Sequence, residues 1–187
     1  MKTQSMFHTV RGLVALGLAL AAGSSISLAQ TADSEKISNL LTQAKSQAIF
    51  AEDDASKLES YTRSTMSWQS HAEQLQRIRE HINELGQLNK QLSDSRAEGS
   101  PWQQTAADQV DSRLREMADL LTVTINHVSD NPARVHMPAY RDYVKANCEL
   151  TSKLARMIHD FVDYDEAKSK AESLEQKLEL PVAGNGA

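Results

Sequence analysis

The chain has 187 residues, of which 40% are hydrophobic, 24% charged and 5% aromatic, and its formal net charge is −5. That length fits one domain of ordinary size, and the acidic balance argues against nucleic acid or anionic lipid as a partner, since both call for a basic surface. The single cysteine, Cys148, excludes an intramolecular disulfide, so stability has to come from packing, and on a helix this residue reads as a small apolar group.

Residues 1–29 read as a secretory signal peptide. Lys2 and Arg11 give a positive start, Gly12 to Ala22 an apolar segment too short for the ~20 residues that a bilayer span needs, and Ser27-Leu28-Ala29 a small-residue cleavage site. Cleavage removes two positive charges and takes the net charge from −5 to −7. A secreted or periplasmic chain is expected, with no membrane insertion after cleavage.

The first helix is predicted over 34–63, capped by Asp33 or Ser34. Its seam, Ile37, Leu41, Ala44, Ala48, Ala51, Ala55 and Leu58, alternates steps of four and three, and its alanines invite a neighbouring backbone to come close. The next apolar residues, Trp68, Leu75, Ile78, Ile82, Leu85, Leu88 and Leu92, are out of phase with that seam, and five Ser and Thr residues crowd between 62 and 70. A turn near 63–67 therefore separates a second helix over 68–94, with Ser70 and Glu73 available as a capping box; one continuous helix with a stutter is the competing reading. Ser100-Pro101 opens a third helix over 101–129, buried through Val110, Leu114, Met117, Leu121, Ile125 and Val128, which stops before Asn131-Pro132. Pro138 opens a fourth over 138–180, with no internal Gly or Pro. Its apolar side is predicted as Tyr140, Val144, Leu150, Leu154, Ile158, Phe161, Tyr164, Ala167, Ala171, Leu174 and Leu178. Residues 181–187 read as a disordered tail.

Four helices on short connections predict an all-α fold, an up-down-up-down four-helix bundle with an over-long C-terminal helix, occupying residues 30–180. The layout is similar to that of periplasmic up-down cytochromes and small extracytoplasmic stress chaperones. The chaperones' Leu-Thr-x-x-Gln motif is met here only by Leu41-Thr42 followed by Lys45, and the first helix lacks the cytochromes' methionine. The last turns of the fourth helix outreach the first helix, so Ala171, Leu174 and Leu178 are the predicted interface for a protein partner or a homo-oligomer.

Side by side, the helices bring the 62–67 turn and the 131–137 loop to one end, where Tyr61, Met66, Trp68, His71, His127, His136, Met137 and Tyr140 gather. His71, His127 and His136 are the candidate metal ligands, since imidazole and thioether suit copper, zinc or haem iron. The alternative to a binding bundle is thus a metal- or haem-binding one. Against it, no histidine after residue 30 follows a Glu at the di-iron spacing, and neither His-Glu-x-x-His nor Cys-x-x-Cys-His occurs. Cys148 and His159 stand eleven residues apart, about 16 Å along a helix, too far for a dyad. No Gly-x-Ser-x-Gly elbow is present, and His81 with Glu84 and His159 with Asp163 read as surface ion pairs. The expectation is a non-enzymatic protein without a resident cofactor, acting by protein–protein interaction or self-association.

Overall fold

The structure, a computed structural model, describes residues 32–179. The expected signal peptide and the tail at 181–187 lie outside those residues. Four α-helices follow one another: α1 (Glu35–Tyr61), α2 (Trp68–Ser95), α3 (Pro101–Asp130) and α4 (Pro138–Lys177), with short 3-10 turns at Arg96–Glu98 and Pro132–Arg134. Helices α1 and α3 each pack on both α2 and α4, which closes the ring of an up-down-up-down four-helix bundle. Among the described residues, no helix is long and apolar enough to cross a membrane.

The α1 seam is buried at every position from Ile37 to Leu58. After Tyr61 the hydroxyls of Thr62 and Ser64 bond back to the carbonyls of Glu59 and Tyr61, at 2.7 and 2.8 Å, in the local competition that ends helices. The cap of α2 corrects the expected one. Ser67, not Ser70, accepts a backbone N–H, that of Ser70 at 3.3 Å, so the cap sits three residues earlier than the Ser70–Glu73 box. Trp68, placed in the α2 seam by its spacing, is 42% exposed because it occupies the first turn at the open end. In α3, Thr124 takes the buried place expected of Ile125 and satisfies its hydroxyl on the carbonyl of Leu120 at 2.8 Å.

Buried amides set the register between helices. Gln103, in the first turn of α3, accepts the N–H of Ser34 at 2.8 Å and donates to the carbonyl of Ser34 at 3.0 Å and the hydroxyl of Ser38 at 3.1 Å. The entrance of α3 is thereby fastened to the entrance of α1. Gly99 permits this approach, since a Cβ there would lie 2.6 Å from Ile37 Cδ1. Deeper in the core, Asn147 donates to Thr124 Oγ1 at 2.6 Å, and Asn89 donates to Asp111 at 2.8 Å.

The apolar side of α4 resolves into two faces. The inner one, Tyr140, Val144, Asn147, Thr151, Leu154, Ala155, Ile158 and Val162, is buried and ends at Val162. Phe161 is only half-buried, and Tyr164, Ala167, Ala171, Leu174 and Leu178 are exposed, which corrects their assignment to one continuous core stripe. The bundle's end is marked by Asp33, which takes a hydrogen bond from Trp102 Nε1 at 2.8 Å and pairs with Lys168. Beyond Lys168 the helix continues to Lys177, roughly 14 Å of rise.

Gly86 in α2 has nothing within 4 Å of where a Cβ would sit. Close helix contact does not explain it, and simple tolerance does. Gly86→Ala is therefore expected to raise the unfolding free energy by about 0.5–1 kcal/mol, read from urea denaturation followed by circular dichroism; no gain would show that the helix needs a glycine there.

Candidate functional site

Two regions hold the side chains of interest, at opposite ends of the bundle. At the turn end, His71 (α2) is fully buried, and its Nδ1 lies 3.0 Å from the hydroxyl of Tyr140 (α4). Tyr61 and His136 present ring edges to the same imidazole at 5.7 and 6.4 Å. His127, half-buried in the last turn of α3, stacks on Tyr140 at 6.0 Å and tilts against Tyr143 at 5.4 Å. His71 and His127 thus both lie against Tyr140, while His136 meets the His71 ring and stands exposed on the loop. Among the described residues, no group of three or more His, Cys, Asp or Glu side chains is placed to hold a metal ion. The Nε2 atoms of His71 and His127 are both buried without a hydrogen-bond partner among the described residues.

Burial dominates the electrostatics here. It pushes the Tyr140 hydroxyl well above the ordinary phenolic range, and it lowers the His71 imidazole, with His136 adding a smaller effect in the same direction. Cys148 is half-buried on α4, 3.8 Å from the Ser56 hydroxyl. Burial raises its thiol, with the Ser56 contact acting against it and Glu59 and Glu52 acting with it, so the sulfur is kept in its less nucleophilic form.

At the other end, the outer face of α4 carries a cleft of about 490 Å³ against α3. Met157, Phe161 and Tyr164 form its apolar wall, and Trp102 closes it by meeting Tyr164 edge-on at 5.2 Å. Lys153, Arg156 and Asp160 line the remainder. Above it, burial opposes the charge on Asp33, but hydrogen bonds from Lys168 and Trp102 hold its carboxyl below the ordinary value. Ala171, Leu174 and Leu178, the predicted interface residues, lie past this point and are exposed, Leu174 at 47% and Leu178 at 61%.

The predicted pairs fare differently. His159 Nδ1 lies 3.0 Å from Asp163, whereas His81 turns to Asp54 at 3.4 Å and to Gln47 at 3.0 Å instead of Glu84. Asp54 also takes the Gln74 amide at 2.6 Å, so this α1 carboxylate is engaged by two α2 side chains. Taking α4 as having a single apolar side hides the cleft. The seven-residue spacing of Met157, Tyr164, Ala171 and Leu178 was the signal available for a second one. No protein-family model, curated protein or solved structure matches the chain.

The sign of the pH dependence follows from the lowered His71 value. Between that value and the ordinary 6.5 the unfolded chain binds more protons than the folded one, so stability rises with pH and is lost as pH falls. His71→Phe is expected to flatten the decline in denaturation midpoint on acidification from pH 7 to 5, measured by urea titration at each pH; an unchanged slope would show that His71 ionises freely in the fold.

Proposed function

We propose that the chain is a secreted or periplasmic, non-enzymatic helical-bundle protein that works by binding protein, itself included, through the free end of α4. One observation supports this above the rest: Ala171, Leu174 and Leu178 are held on an ordered helix that extends past the bundle and are exposed there. Apolar surface presented to water is unfavourable by ~25 cal/mol per Å², and a covering partner removes that cost. The Cys148 thiol is raised by burial, and this supports a role without nucleophilic chemistry. Export rests on the pattern of residues 1–29, and N-terminal sequencing of secreted material should begin at Gln30.

A second reading, a bundle that binds a transition-metal ion or haem at the turn end, is favoured by the two buried Nε2 atoms of His71 and His127, since buried polar atoms ordinarily have a partner. Stoichiometric metal by elemental analysis, or a Soret band, in protein from its native compartment would establish it.

The first reading is tested with a photoreactive benzophenone side chain in place of Leu174. Illumination of the exported protein should yield a covalent adduct, either to another copy or to a different protein. The same group at the exposed Arg79 of α2 should give none. Equal adducts at both positions, or none at 174, would remove the α4 end as a binding surface.

A further inference from the structure

The exposed edge does not begin where the bundle ends. Counted in sevens along α4, Met157, Tyr164, Ala171 and Leu178 occupy one heptad position, and Asp160, Ala167 and Leu174 occupy the position three residues on. This is an a/d seam, roughly 32 Å long, on the side of α4 opposite Leu154, Ile158 and Val162. Its lower half is the α4 wall of the cleft, and its upper half is the free end. A ring of four helices leaves each helix at a corner, and a partner helix laid along this outward edge also touches Trp102 and Gln109 of α3, which share the cleft with the seam.

The flanking charges decide what that partner is. With Met157 at a, Asp163 and Lys170 fall at g, and Lys168 and Glu175 fall at e. A parallel second copy sets each g residue beside the e residue five places on: Asp163 beside the partner's Lys168, and Lys170 beside the partner's Glu175. Both pairings are opposite in sign, and the two-fold axis makes each of them twice. An antiparallel copy covering the same strip sets Asp163 beside the partner's Lys170 but Lys168 beside the partner's Lys168, and leaves Glu175 with no opposite charge. Asp163 and Lys168 are already engaged on the flanks, by Lys45 and His159 and by Asp33 and Glu172. Lys170 and Glu175 form no ion pair among the described residues. The selection of orientation therefore falls mainly on them. Asp160 is the one charged residue in the seam, and a polar residue at a single core position fixes register. Arg156, one turn below it and likewise unpaired among the described residues, supplies the countercharge from either copy.

We propose that the partner on this strip is a second copy of the chain, packed α4 to α4 in parallel and in register from Met157 to Leu178. The proposal rests on the functional reading above and narrows it to one partner and one orientation.

The test uses the full mature chain with Cys148→Ser and, separately, Ala171→Cys or Leu178→Cys. Under mild oxidation each single-cysteine protein should convert to a disulfide-linked dimer at micromolar concentration. An antiparallel pair has only one crossing point, so linkage at one position alone overturns the parallel assignment. Without added cysteines, sedimentation velocity at tens of micromolar should show a dimer whose dissociation constant rises roughly thirtyfold or more in Leu174→Asp and in Tyr164→Glu. Lys170→Glu should weaken it, and Lys170→Glu combined with Glu175→Lys should restore it. A monomer throughout, or a dimer lost in Leu174→Asp but indifferent to Tyr164→Glu and to the charge exchange, overturns the proposal. If that happens while the benzophenone at position 174 still captures a different protein, the broader reading survives and only the self-pairing falls.

Discussion

Helix α4 can be covered by its neighbours only as far as those neighbours reach, and this limit organises the molecule. Its inner seam closes the core from Tyr140 to Val162, and Asp33, joined to both Trp102 and Lys168, fixes where cover ends. Each remaining turn is an ordered apolar surface with no neighbour among the described residues. Ala-rich α1 strengthens the constraint: Ala44, Ala48, Ala51 and Ala55 bring helices close and leave little space for sliding. The exposed strip is thus a consequence of register, not of local disorder.

Much of the fold was legible because its signals were local. Ser100-Pro101 marked a helix start, Asn131-Pro132 a helix end, and the phase slip between Leu58 and Leu75 a turn, and the four helices begin and end within three residues of the expected places. The faces of α4 were less legible, since an inner and an outer seam on a forty-residue helix blur into one stripe when apolar residues are taken without regard to drift between 3.5 and 3.6 residues per turn. The turn of His81 toward Asp54 was equally hidden, because its partner is set by tertiary packing, whereas the Ser67 cap is a local choice between two serines three residues apart.

The turn end shows the opposite balance. Its residues were named from the sequence, but their arrangement was not: the tyrosine, and not any histidine, is the centre. Tyr140 fills the end of the core, bonds His71 from its hydroxyl and stacks on His127 with its ring. His71 and His127 flank this aromatic plug. Both unpartnered Nε2 atoms belong to imidazoles packed on this one ring.

The Gln103 bonds to Ser34 and Ser38 carry a practical corollary. They pin the first described residues to the pole from which α4 emerges, so anything appended ahead of Asp33 starts beside that emerging rod. Purification tags and fluorophores placed there would crowd the very surface under study. The hairpin of Arg63 to Met66, exposed throughout at the far pole, offers a handle that leaves it clear.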